Sequence, residues 1–382
     1  MFVPRERLVG RIRQGLENNP GVVLLGPRQC GKTTLARKIC EEIQPCEFFD
    51  LENPVDLARL EAPLLALEPL TGLVVLDEIQ RKPELFEILR VLMDSPRCKA
   101  SFLLLGSASP RLVLGVSETL AGRVSFVHMS GFNLEEVGPE NYKKLWLRGG
   151  FPRSYLARND GLSLRWRLDF LQIFLERDIP QLGIRIPAQA LRRFWVMLAH
   201  YHGQIWNASG FAHSISASQK TVKRYLDILT DSFVVRQLQP WFENIKKRQV
   251  KSPKVYLRDS GILHALLGLE SERSIFSHPK FGASWEGFVL EQMAALIHIP
   301  DICFWATHGG SELDAFLNLE GRRIGIEIKY TDAPRITKSM RGAMEDLRLD
   351  HAYIIYPGEK SFPLDKKIEA LSIGDIQQVF VG

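Results

Sequence analysis

"GPRQCGKTT" at residues 26–34 follows the apolar run "GVVLL" at residues 21–25 and precedes a stretch, Thr34 to Ile39, that contains no helix breaker. Gly26, Gly31, Lys32 and Thr33 satisfy the spacing glycine, four residues, glycine, lysine, then serine or threonine. In such a loop the backbone N–H groups converge on a polyphosphate, the lysine amine reaches the outer phosphates and the hydroxyl joins the shell of a Mg²⁺ ion. The helix that follows points the positive end of its dipole at the same anion. The span Gly26, Pro27, Arg28, Gln29, Cys30, Gly31, Lys32, Thr33 and Thr34 is therefore expected to hold a nucleoside triphosphate, because the strand and helix that the pattern requires flank it.

Working outward, "GLVVLDEIQ" at residues 72–80 reads as a buried strand ending in two acids. Asp77 at the carboxyl end of that strand is expected to hold Mg²⁺ and Glu78 to polarise the attacking water. "SFLLLGSAS" at residues 101–109 is another apolar strand tipped with hydroxyls, and Ser107 and Ser109 are candidates to sense the γ-phosphate. In "ETLAGRVSFVHMS" at residues 118–130, Arg123 precedes a fifth strand. Its guanidinium, donated to a neighbouring subunit, would neutralise transition-state charge; the alternative is a surface arginine in a turn. Strands near residues 22, 47, 73, 102 and 124 with helical patterns between most of them describe a doubly wound parallel α/β sheet, with phosphates at the carboxyl ends of its strands.

These four segments together resemble the AAA-type P-loop ATPases of bacteria and archaea that carry a poorly characterised C-terminal domain. "RGGFPRSYL", "FLERDIPQL" and "VYLRDSGILHALLG" are similar to later segments of that family, so the likeness runs nearly end to end. The resemblance implies ATP, rather than another triphosphate, as the substrate, hydrolysed with Mg²⁺. It also implies a homo-oligomer, in AAA-type enzymes generally a subunit ring such as a hexamer, with Arg123 acting in trans.

Between residues 162 and 200 the pattern is helical, with apolar and basic residues interleaved. Residues 207–241 then read as helix, turn, helix, strand. Val222, Tyr225, Leu226 and Leu229 recur at helical spacing and form a core stripe, Ser218 stands at the N-cap, and Lys220, Lys223 and Arg224 lie off the stripe. The basic run "IKKRQVKSPK" carries Lys246, Lys247, Arg248, Lys251 and Lys254. This is the layout of a winged helix with a basic wing, one element for a DNA groove and one for phosphates, although winged helices also serve as protein contacts. DNA, duplex or branched, is the expected partner.

The remaining chain alternates helix and strand. Asp314 opens one strand, Glu327 and Lys329 stand two apart on the next and so share a face, and Glu286 lies on a preceding helix. "ELD" and "EIK" resemble the PD-(D/E)XK restriction-endonuclease-like fold without its leading proline. Asp314, Glu327 and Glu286 would then hold a second Mg²⁺ or Mn²⁺, with Lys329 orienting water. The alternatives are a buried ion network or the relic of an inactive nuclease.

A chain of 382 residues with 45% hydrophobic and 24% charged residues suits two or three domains. The expected division is a P-loop ATPase domain over 1–140, a helical and winged-helix domain over 141–255 and a nuclease-like domain over 256–382. The net charge of +5, from 49 Lys and Arg against 44 Asp and Glu, permits a nucleic-acid partner without demanding one. Five cysteines with no Cys-x-x-Cys pair argue against a disulfide framework and favour a reducing compartment. No run reaches the length that spans a bilayer, so a cytoplasmic protein without membrane contact is expected.

Overall fold

The computed structural model describes residues 2–107, 116, 118–181, 186–245, 247–297 and 302–380. Ser109 and Lys246, both singled out above, lie outside these residues. The chain forms two compact units, Met1–Gly131 with Asp231–Phe233, and Phe132–Thr230 with Val234–Gly382.

The first unit is built on five strands, β1 (Gly21–Gly26), β2 (Cys46–Asp50), β3 (Thr71–Asp77), β4 (Lys99–Ser107) and β5 (Val124–His128), in the order β2-β3-β4-β1-β5. All four pairings are parallel, with Gly26 beside Ser107 and Leu25 beside His128. A parallel sheet needs a crossover between each pair of strands, which is why its strands are apolar runs buried on both faces. Every residue of β1 is buried. The helix Lys32–Glu42 packs against β2, β3 and β4, and the helix Glu6–Asn18 against β1 and β5. The core beneath the phosphate loop joins Val23, Leu25, Phe49, Val74, Leu76, Phe102 and Leu104. Each such side chain contributes about 1.5–3 kcal/mol on burial.

One cysteine expectation is corrected here. Cys40, in the last turn of the helix Lys32–Glu42, and Cys46, the first residue of β2, form a disulfide with Cα atoms 5.4 Å apart. The chain reverses between helix and strand within six residues, which brings the two Cα atoms into bonding range. Residue counts and spacings do not register that reversal, and cysteine usage no longer argues for a reducing compartment.

The second unit carries a nine-stranded mixed sheet: β6 (Gln204–Ile205), β7 (Val235–Pro240), β8 (Lys254–Leu257), β9 (Cys303–Ala306), β10 (Glu312–Leu319), β11 (Arg322–Ile328), β12 (His351–Tyr356), β13 (Phe362–Asp365) and β14 (Ile368–Ser372). Their order is β13-β14-β12-β11-β10-β9-β7-β8-β6. β7 pairs antiparallel with β8 on one side and parallel with β9 on the other. The boundary expected between residues 255 and 256 therefore falls inside β8, in the middle of a continuous sheet. The helices Asp160–Ile173, Ala188–His200, Ala208–Ser214 and Gln219–Asp231 precede β7. Helix Lys338–Asp346 packs on β10 and β11, and helix Phe281–Leu296 on β11. Among the described residues no helix is long and apolar enough to cross a membrane.

Candidate functional site

The loop after β1 is shaped by its glycines. A Cβ on Gly26 would stand 2.2 Å from the carbonyl oxygen of Met129, so no side chain fits there. Gly31 caps the following helix with φ 101°, a left-handed conformation that favours glycine. The Lys32 ammonium is buried and donates to the carbonyls of Gly26 at 3.0 Å and Pro27 at 2.9 Å. Pro27 and Cys30 are buried, Arg28 is half-buried, and Gln29 and Thr34 are exposed.

The acids of β3 arrive from the adjoining part of the sheet. Thr33 Oγ1 donates to Asp77 Oδ2 at 2.6 Å, and Asp77 is 2% exposed. Burial pushes the Asp77 carboxyl up to about 6, against the hydrogen bond from Thr33 that lowers it. Glu78 adopts a left-handed φ of 54°, uncommon for a side chain of its size, which turns the chain at the strand end. Its carboxylate accepts from Ser107 Oγ at 3.1 Å and from Gln80. Lys32, Thr33, Asp77, Glu78 and Ser107 thus gather at the carboxyl ends of β1, β3 and β4, where open parallel sheets take their ligands. The side chains suit a hydrated Mg²⁺ ion, since a hydroxyl and a buried carboxylate already meet beside the loop.

Arg123 is elsewhere. It precedes β5, whose first residue pairs with Gly21, so it stands at the end of the sheet opposite the loop. Its guanidinium grips Asp94 through two 2.7 Å hydrogen bonds and donates to the Ala121 carbonyl at 3.0 Å. It is therefore no part of the nucleotide site of its own chain.

Sequence reading missed Arg5. Its buried guanidinium donates to the carbonyl oxygens of Cys30 at 3.4 Å, Ser130 at 3.1 and 3.2 Å, and Gly131 at 2.8 Å. It ties the phosphate loop to the segment after β5. Nothing in the local pattern signals this, because the partners lie up to 126 residues away.

In the second unit, Ser218 Oγ accepts from the Thr221 N–H at 3.1 Å as the N-cap of helix Gln219–Asp231. Val222, Leu226 and Leu229 are buried and Tyr225 half-buried, while Lys220, Lys223 and Arg224 are exposed. Along the segment that joins β7 to β8, Arg248 and Lys251 are exposed, and Lys247 pairs with Asp346 at 2.6 Å.

Lys254 is not a wing residue. It is 3% exposed, and its ammonium lies among the carboxylates of Glu286 at 3.2 Å, Asp314 at 3.9 Å and, closer still, Glu312. β8 is flanked by β7 and β6 and all four of its residues are buried. Around it, Tyr256 donates to Glu286, Lys329 pairs with Glu327 at 3.0 Å, and Asp314 Oδ2 accepts from the Ile328 N–H at 2.7 Å. The register between β9 and β10 shifts between Leu313 and Phe316, a bulge of the kind that re-aims a side chain, at Asp314. Burial and the charge of Asp314 raise both Glu286 and Glu327 above the ordinary carboxylate range. The structure thus places Glu286, Asp314, Glu327 and Lys329 in one neighbourhood, with Lys254, Tyr256 and Glu312 among them. Their signal was available: 254 and 256, like 312 and 314, stand two apart on a strand and share a face. Among the described residues no group of three or more His, Cys, Asp or Glu is placed to hold a metal ion, so the expected second Mg²⁺ or Mn²⁺ has no support here.

Comparison with known proteins matches the part of the chain that holds the phosphate loop to a described domain. Residues 18–138 match a family profile described as an AAA domain, residues 139–273 a domain of unknown function (DUF8612), and residues 281–376 another (DUF4143). The uncharacterized proteins Rv2008c of Mycobacterium tuberculosis and Mb2031c of Mycobacterium bovis are each 51% identical over 376 residues, covering 98% of this chain and 85% of theirs. The Walker-type ATPase PABY2304 of Pyrococcus abyssi shares the fold, with a TM-score of 0.50 at 16% identity over 70% of this chain and 96% of that one. This chain belongs to the same protein family as Rv2008c and Mb2031c, and it carries an AAA domain over residues 18–138.

Proposed function

We propose that the protein is a Mg²⁺-dependent ATPase whose hydrolysis is coupled to DNA held by its second unit. The observation that carries the ATPase reading is the meeting of Lys32, Thr33, Asp77, Glu78 and Ser107 at the carboxyl ends of the parallel strands. Lys32 exchanges the carbonyls of its own loop for the outer phosphates of ATP. Thr33 and Asp77 would hold the ion, which when bound spreads the charge of the transferred phosphoryl group. Glu78, positioned by Ser107, orients the attacking water. In an oligomer, Arg123 released from Asp94 reaches the site of a neighbouring chain.

The DNA reading rests on Lys220, Lys223 and Arg224, which face solvent on a helix whose other side is core, and on Arg248 and Lys251 in the following segment. Read as a winged helix, the first set meets a groove and the second a backbone. ATP hydrolysis by the purified chain, with and without linear, single-stranded and branched DNA at low salt, tests the coupling. Stimulation by DNA supports it. A rate indifferent to every DNA overturns it and points to a nucleotide switch that docks a protein.

A further inference from the structure

The acids of β10 and β11 invite a divalent cation, yet the centre already contains a cation of its own. Lys254 Nζ lies within 4 Å of three carboxylates, Glu286, Glu312 and Asp314. It also stands 5.5 Å from the centroid of the Phe304 ring, a further favourable site for positive charge. We infer that Lys254 is the resident counter-ion of this centre, tethered where a divalent metal would otherwise have to sit, and that it keeps such metals out.

The backbone allows the ammonium little retreat. Lys254 is paired with Leu238 of β7 on one side and Ile205 of β6 on the other, and the rest of β8 is buried core. Although burial alone would favour the neutral amine, the carboxylates of Glu286, Asp314 and Glu312 hold it charged. Glu286 also accepts from Tyr256 and Asp314 from the Ile328 N–H, while the neighbouring Glu327 pairs with Lys329. Mg²⁺ or Mn²⁺ needs about six oxygen ligands in a near-octahedral set. A metal seated among Glu286, Glu312 and Asp314 would have to displace the ammonium, which would become an unpaired buried charge, the costly outcome for any ion pair.

The inference stands apart from the ATPase reading and is tested on the nucleotide-free, full-length chain by Mn²⁺ titration, with the free ion followed by electron paramagnetic resonance. The native protein and Asp314→Asn are expected to give superimposable titrations. Lys254→Met is expected to gain a saturable Mn²⁺ site that disappears again in Lys254→Met/Asp314→Asn. A saturable site in the native chain that Asp314→Asn removes would overturn the inference. So would a folded Lys254→Met, checked by circular dichroism, that takes up no Mn²⁺. If that variant does not fold, the comparison of the native chain with Asp314→Asn decides alone.

Discussion

The hydroxyl of Thr33 donates a 2.6 Å hydrogen bond to Oδ2 of Asp77, joining the end of the phosphate loop to the acidic end of β3 across 44 residues of sequence. In the proposed site this pair would supply two of the ligands of Mg²⁺. Asp77→Asn keeps the volume and a hydrogen bond but loses the charge that would hold Mg²⁺. Hydrolysis is expected to fall by at least about a hundredfold, as for loss of a transition-state charge stabiliser. A coupled phosphate-release assay at saturating Mg·ATP measures it, and an unchanged rate would remove Asp77 from the site.

Ser107 and Glu78 form the second relationship. Glu78→Gln is expected to retain nucleotide, read by a fluorescent ATP analogue, and to lose turnover. Ser107→Ala removes one hydrogen bond to a carboxylate, worth about 1.5 kcal/mol, and should lower kcat about tenfold with little change in KM. Equal losses in binding and turnover for both variants would mean that they only support the loop.

Arg5 is a positioning residue for the same loop. Arg5→Met withdraws a buried guanidinium from three carbonyls and is expected to raise KM for ATP about tenfold, the worth of a charge-assisted hydrogen bond. Arg5→Lys should restore part of that affinity. If both variants shift only the melting temperature and leave KM alone, Arg5 serves the fold and not the nucleotide.

Charge removal separates the two parts of the proposed DNA surface. Replacing Lys220, Lys223 and Arg224 together by glutamine should weaken duplex binding and flatten its dependence on salt, by about 0.9 in log–log slope for each phosphate that is no longer neutralised. Binding measured by fluorescence anisotropy across a salt series gives that slope. Lys254→Met, in contrast, should leave it unaltered, because Lys254 is buried among acids.

Acid stability has an identifiable source. Burial holds His202 and His264 neutral, with pKa values lowered to about 3. The unfolded chain protonates these rings near pH 6.5, so the stability they contribute is whole above that pH and is lost as the pH falls toward 3. Between about pH 7 and pH 5 each costs about 2 kcal/mol by this linkage. Glu286 and Glu327, raised by burial, act in the opposite sense and lose their contribution as pH rises. His264→Gln should therefore shrink the drop in urea midpoint between about pH 7 and pH 5 relative to the native chain. An identical drop would show that His264 does not titrate on unfolding.

What the sequence by itself determined lies within short spans. The loop at 26–34, the acids at the end of an apolar run, the five parallel strands and the stripe of Val222, Leu226 and Leu229 are all local patterns. Each follows from a spacing, a turn or a helical period confined to one element. Such periodicity shows which side of an element faces inward, and it is silent on what that side meets. Only the tertiary structure decided that Lys254 is drawn into the acids of another part of the chain, that Arg123 grips Asp94, and that Arg5 reaches the carbonyls of Cys30, Ser130 and Gly131. It also decided that Cys40 meets Cys46 and that β7 runs on into the C-terminal sheet. The physical reason is common to these cases. A charge, a thiol or a strand edge takes as partner whatever the register and chain reversals bring within a few ångströms, and that proximity belongs to the packed molecule.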